Sequence, residues 1–320
     1  MRPTGTKRWL LLLAVGIITI GGIWLAVRSG ASSTPTKAAN QTATPDFGSL
    51  PKNYLALKPS PTKEFVDAKA YILVDGANGN VLLENDPDVP VSIGSTTKMV
   101  TALVANQLFP ADKILTVPPK AAAINGSTIG LKAGEQISVK SLLQILLIPS
   151  GNDAAYTLAE VYSGEDGNYQ KFVDAMNTYA ATHHLQNTHY LDPAGLSDDG
   201  KSTAFDLAQI GRLVMNDPIL AAIVTTPSAS VTSADGSIAY PLKNTDQLLQ
   251  IGPYFNKNVI GIKTGFTPAA GYCLVAAEKF HDHLLIAVVL GVPGNGETAS
   301  AKEINKLFVW ADQNVTIKSY

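Results

Sequence analysis

Residues 91–108 read VSIGSTTKMVTALVANQL. From Lys98 onward the apolar residues recur at helical spacing, and Ser95 stands three residues ahead of the lysine. Residues three apart on a helix share a face, so a helix opening here presents a serine and a lysine to the same side. Two physical readings compete. In one, Ser95 is an N-cap and Lys98 extends its charge to water. In the other, Ser95 is a nucleophile and Lys98 is its base. At a helix N-terminus the unpaired backbone N–H groups and the positive end of the dipole favour a developing oxyanion, but this stretch alone does not decide between the two readings. Two other Ser-x-x-Lys pairs, Ser49–Lys52 and Ser60–Lys63, each enclose a proline. A proline there prevents a helix from holding the pair in register.

Outward from this helix, the sequence predicts strands at both ends of a folded unit. AYILVDGANGNVLLEN, from Ala70, is two apolar runs about a Gly/Asn turn, a hairpin signal. Helical patterns cover roughly 95–108, 138–148, 152–162, 167–184 and 203–216. A second β region opens near Tyr240. NVIGIKTG is a strand, AGYCLVAAEKFHDHLLIAVVLGV is a hairpin turning near His281–His283, and an amphipathic helix begins near Thr298. The expected fold class is α/β in the α+β sense. An antiparallel sheet is built from both ends, helices flank it, and a helical subdomain is inserted. A cleft is expected where the sheet and the helical subdomain meet.

Before this unit come two segments of different character. Arg2, Lys7 and Arg8 precede an uncharged run from Trp9 to Val27, and Arg28 comes next. A run of about 19 apolar residues suffices to span a bilayer and exceeds the usual core of a secretory signal. Residues 1–28 are therefore expected to be a cytoplasmic stub and transmembrane anchor, with a cleaved signal peptide as the alternative. The basic flank places the remainder of the chain outside the cytoplasm. Residues 29–63, rich in Ser, Thr, Ala and Pro, read as a flexible linker, and 64–320 as the folded domain.

Composition excludes some functions. The chain is 46% hydrophobic and 16% charged, with a formal net charge of -2. No basic patch interleaved with aromatics points to nucleic acid. The single cysteine, Cys273, lies in an apolar run and reads as a buried inert thiol. The five histidines, His183, His184, His189, His281 and His283, show no metal-ligand pattern and read as exposed. No G-x-S-x-G elbow is present for a serine–histidine triad.

Two further elements complete a constellation. SGND places Ser150 and Asn152 in a turn between helices, and KTG places Lys263, Thr264 and Gly265 at the end of a strand. A lysine base must be neutral; its own burial lowers its pKa, and a second cation nearby, which Lys263 offers, lowers it further. Ser-x-x-Lys, Ser-x-Asn and Lys-Thr-Gly in this order are the signature shared by penicillin-binding proteins and β-lactamases.

The blocks YILVDGANGNVLLENDPDVPVSIGSTTKMVTALV, GSTIGLKAGEQISVKSLLQILLIPSGNDAAYTLAE, LDPAGLSDDGKSTAFDLAQIGRLV and IGIKTGFTPAAGYCLVAAE extend the likeness over most of residues 70–280. In them the chain resembles the D-alanyl-D-alanine carboxypeptidases, the low-molecular-mass penicillin-binding proteins. The resemblance implies a DD-peptidase/β-lactamase-like fold and hydrolysis of peptidoglycan stem peptides ending in D-Ala-D-Ala. It implies covalent inhibition by β-lactams and no metal or organic cofactor. By the same resemblance Ser95 is the nucleophile, Lys98 the base, and Ser150 the proton relay. Asn152 binds a substrate amide, Lys263 and Thr264 receive the terminal carboxylate with Gly265 beside them, and Phe266 offers its N–H to the oxyanion together with that of Ser95.

Three departures stand out. Gly94 replaces a frequent alanine, and Phe266 replaces a frequent histidine or tyrosine. Thr245, with Lys243 nearby, occupies the stretch where some members carry an arginine. A DD-endopeptidase of the same family is the first alternative, because the motifs are the same. A β-lactamase is disfavoured, because HHLQNTHYLDPAGL lacks the Glu-x-x-Leu-Asn of the class A enzymes. A non-catalytic wall-binding protein is disfavoured because every reactive residue is intact.

Overall fold

In the computed structural model the described residues are 53–59, 65–164, 167–294, 296 and 298–319. The expected anchor and most of the expected linker lie outside them. Elements are numbered in chain order. A five-stranded antiparallel sheet runs in the order β10 (Val259–Thr267), β11 (Gly271–Phe280), β12 (His283–Val292), β2 (Ala70–Asp75), β3 (Val81–Asn85). The strands from the two ends of the unit therefore meet in the middle, where β12 pairs with β2.

The central strands read as unbroken apolar runs because both faces of the sheet are covered. Strand side chains alternate between faces. Ile72, Val74, Ile286 and Val288 enter a core shared with the helical layer. Tyr71, Leu73, Leu285 and Ala287 enter a second core with Ile304, Leu307, Phe308 and Ala311. Those four recur at helical spacing on α8 (Thr298–Asn314), which packs on this second face. On the first face lies α6 (Ala204–Asn216), where a Cβ on Gly211 would fall 3.0 Å from Val275. The absence of that Cβ lets the helix approach the sheet closely.

Between β3 and β10 lies the helical subdomain. It contains α1 (Lys98–Leu108), the short α2 (Pro119–Ala122), α3 (Val139–Leu147), α4 (Asn152–Ser163), α5 (Gln170–Thr182), α6 and α7 (Pro218–Val224). Four two-stranded pairs trim the unit. They are β1 (Asn53–Leu57) with β13 (Val315–Ser319), β4 (Val91–Ser92) with β7 (Lys201–Ser202), β5 (Ile114–Thr116) with β6 (Gln136–Ser138), and β8 (Ser228–Thr232) with β9 (Ala239–Lys243). Among the described residues no single helix is long and apolar enough to cross a membrane.

The structure corrects two expectations. The linker does not extend to residue 63, because Asn53–Leu57 forms β1, antiparallel to β13. Leu55 is buried in the second core, an anchoring contact that a flexible segment could not make. His283 is not exposed. It starts β12 with its ring buried, and its Nε2 lies 3.0 Å from Asn53 Oδ1. Cys273 is buried as expected, and burial pushes its thiol up to about 11.

Candidate active site

Ser95 lies in a single 3₁₀ turn, Gly94–Thr97, that leads into α1. No side chain caps either element, so the N-cap reading of Ser95 does not hold. Its Oγ instead lies 2.7 Å from Lys98 Nζ. The turn is wedged against β10, the edge strand of the sheet. Two glycines permit the contact. Gly94 has a φ of 51°, and a Cβ there would fall 2.9 Å from the Phe266 nitrogen. A Cβ on Gly265 would fall 2.6 Å from the Ile93 carbonyl oxygen. Gly94 is thus required by both its backbone angle and its neighbour, and it sets the Phe266 amide beside the Ser95 turn.

Lys98 is wholly buried and donates to the carbonyl of Ala194 at 2.8 Å. Burial, and then the charge of Lys263, hold its pKa well below the ordinary lysine range, against the opposing pull of Asp192 and Asp153. Lys263, on β10, is also buried and is lowered to about 7, chiefly by burial, with Asp246 acting to raise it. Its Nζ donates to the Thr264 carbonyl at 3.0 Å and lies 3.4 Å from Thr264 Oγ1. Both lysines are thus buried, and each has its pKa lowered chiefly by that burial.

Ser150 sits between α3 and α4 with a φ of 67°, a left-handed backbone that serine rarely adopts. Such strain persists where the surroundings over-determine it, commonly at functional sites. Asn152 opens α4. Its Nδ2 donates to Asn125 O at 2.8 Å, and its buried Oδ1 has no hydrogen-bond partner among the described residues. Asp153 fastens the opposite loop, because its Oδ2 accepts from the N–H groups of Ile129, Gly130 and Leu131.

A cleft of about 280 Å³ joins Ser95, Ser150, Thr264, Gly265 and Phe266, so the structure brings these predicted residues to one place. Lys98, Asn152 and Lys263 are buried and are not among the described residues that line it. Sequence reasoning gave no role to Ser127, Tyr272 and Ser300, which also line it, nor to Asp192. The carboxylate of Asp192 accepts from the N–H groups of Ala194, Gly195, Leu196 and Ser197, and so shapes the loop whose Ala194 carbonyl holds Lys98. The Asp-Pro-x-Gly run was the available signal, since such residues build side-chain-braced turns.

A buried lysine with a lowered pKa lies on a serine hydroxyl, and a second serine shares the cleft, an arrangement that suits a serine activated by an adjacent base. Comparison with known proteins makes the class specific. The family described as D-alanyl-D-alanine carboxypeptidase matches residues 57–294, and the chain belongs to that family. It is 37% identical over 258 residues to the Escherichia coli D-alanyl-D-alanine carboxypeptidase DacC, covering 77% of this chain and 61% of that protein. It is 32% identical over 236 residues to a D-alanyl-D-alanine endopeptidase of Pseudomonas aeruginosa, covering 73% of this chain and 74% of that one. A solved DD-transpeptidase from Streptomyces superposes with a TM-score of 0.71 at 30% identity, over 79% of this chain and 99% of that one.

Proposed function

We propose that this peptidase is a serine-type DD-carboxypeptidase that removes the terminal D-alanine from peptidoglycan stem pentapeptides. The observation that carries the reading is the 2.7 Å contact between Ser95 Oγ and a buried Lys98 Nζ. Neutral Lys98 takes the serine proton as Oγ attacks the carbonyl carbon of the penultimate D-alanine. The backbone N–H groups of Ser95 and Phe266 receive the oxyanion, an arrangement often worth about 10²–10³ in rate. Ser150 passes the proton to the leaving nitrogen, the C–N bond breaks, and free D-alanine departs. Water then enters, Lys98 removes its proton, and the ester to Ser95 is hydrolysed. Thr264, backed by Lys263, receives the terminal carboxylate. β-Lactams acylate Ser95 by the same attack.

The uncharged run Trp9–Val27 with its basic flank supports placement at the cell membrane, with the catalytic unit on the extracytoplasmic side. Protease protection of the full chain in inverted and right-side-out vesicles tests that placement.

The activity is tested by incubating the full-length chain and its Ser95→Ala variant with a pentapeptide ending in D-Ala-D-Ala, followed by mass spectrometry. Released D-alanine from the wild type alone is expected. Equal release from Ser95→Ala assigns the wrong nucleophile.

A further inference from the structure

The wall of the cleft is built of hydroxyls. Seven of the nine described residues that line it carry one, and none of the nine is charged. Between residues 29 and 320 the sequence holds one arginine, Arg212. That side chain is engaged elsewhere, donating to the carbonyls of Gly76 and Ala77 and to Gln209 Oε1. Lys263 stands behind Thr264, only 1% exposed. Lys243 points outward from the end of β9 and does not line the cleft. Thr245 does line the cleft, and its Oγ1 lies 2.6 Å from Thr264 Oγ1.

Thr245 is held rigidly. Its N–H donates to Ile148 O at 3.2 Å at the end of α3. On either side, Asn244 Oδ1 accepts from Asp246 N and Asp246 Oδ1 accepts from Leu248 N, two side-chain-braced turns in succession. Pairing with Thr264 occupies one bonding direction of each hydroxyl, which leaves the others for a ligand.

The chemistry of that end rests on what a hydroxyl can do. A guanidinium only donates, so an amide N–H set against it is left unpaired. A hydroxyl both donates and accepts, so it satisfies a carboxylate oxygen, an amide oxygen or an amide N–H. We infer that Thr245 sets the specificity of the leaving-group end of the cleft, and that the substrate class includes D-alanyl amides whose leaving amine carries no free α-carboxylate. The bond broken is the same C–N bond, and the relayed proton goes to the departing amine. Only the group beyond that amine differs. This inference rests on the peptidase reading above and specifies its substrate range.

The test uses the full-length chain and two probes, N,N′-diacetyl-L-lysyl-D-alanyl-D-alanine and its C-terminal amide, with kcat/KM measured for each. The wild type is expected to cleave acid and amide within about tenfold of one another. Thr245→Arg is expected to raise the acid-to-amide ratio at least tenfold. Thr245→Val, which keeps the shape and removes the hydroxyl, is expected to lower kcat/KM on both probes, with Thr245→Ser restoring both. If the arginine variant does not fold, the valine and serine pair decides. A wild type that discriminates against the amide by more than 100-fold, or a valine variant with unchanged kcat/KM on both probes, overturns the inference and leaves the carboxypeptidase reading intact. Release of product from neither probe removes both.

Discussion

Lys98 shows how much of the chemistry one side chain sets. A buried amine is costly to charge, and Lys263 adds repulsion, so the pKa of Lys98 is held well below that of an exposed lysine. Replacing Lys98 with alanine removes proton transfer and leaves the backbone turn in place. The expected loss in penicillin acylation is about 10²–10⁴-fold, the usual worth of a positioned general base. An acylation rate near that of the wild type would show that another group takes the proton. The same pair fixes the sign of the pH dependence. Attack needs neutral Lys98, so acylation climbs as the pH rises through its lowered pKa. The grip on a carboxylate needs charged Lys263, whose value is about 7, so that grip weakens as the pH rises further. KM for a substrate with a free terminal carboxylate is therefore expected to rise between pH 7 and 9, while KM for the corresponding amide stays flat. Parallel alkaline limbs for the two would place the titration elsewhere. Both lysines were legible in the sequence by spacing. The carbonyl of Ala194 that holds one of them was not, because it lies 96 residues away in the chain.

The loop from Asp192 to Ser197 is the element that completes the site. One carboxylate gathers four backbone N–H groups there. Asparagine in its place keeps one acceptor oxygen and turns an NH₂ toward N–H donors. An unsatisfied buried donor costs about 1–3 kcal/mol, so Asp192→Asn is expected to lower stability by about that amount. It should also slow acylation, because the Ala194 carbonyl shifts relative to Lys98. Urea unfolding and penicillin acylation measured on the same variant check both. A variant that loses stability and acylates at the wild-type rate would show that the loop does not position the base. Long elements were legible because a repeated period is hard to imitate. The predicted helices at 138–148, 152–162 and 203–216 agree with α3, α4 and α6 within about one residue. The missed pairs, such as β4 with β7 and β5 with β6, have strands of two or three residues. Runs that short contain too few side chains to show alternation. The 3₁₀ turn that holds Ser95 was hidden for a different reason, since its geometry is imposed by contact with β10.

At the scale of the whole molecule, the sheet is closed by residues from opposite ends of the sequence, and the same is true of the small ladder β1–β13. Residues 53–57 read as linker because NYLAL is short and its partner lies more than 250 residues away. Their contacts are nevertheless those of a structural element. Leu55 is buried in the second core with Trp310 and Val315. Lys58 N donates to Asn314 O at 2.8 Å, and Asn53 bridges to the β11–β12 turn through His283 and Asp282. Removing everything before residue 64 strips the leucine from the core and leaves β13 with an unpaired edge. Burying one such side chain is worth about 1.5–3 kcal/mol. For a unit of this size about 1 kcal/mol moves the unfolding midpoint by roughly 2–4 °C. A chain beginning at residue 64 is therefore expected to melt about 4–10 °C below one beginning at residue 43, and to aggregate more readily through the exposed edge. Acylation at 25 °C should be nearly the same in both. β1 meets α8 at its Asn314 end, whereas Ser300, which lines the cleft, lies fourteen residues away, about 21 Å along the helix. Differential scanning calorimetry with penicillin titration of the same samples separates the two effects. Equal midpoints would return residues 53–57 to the linker, and a parallel loss of acylation would mean that the terminal ladder supports the cleft through α8.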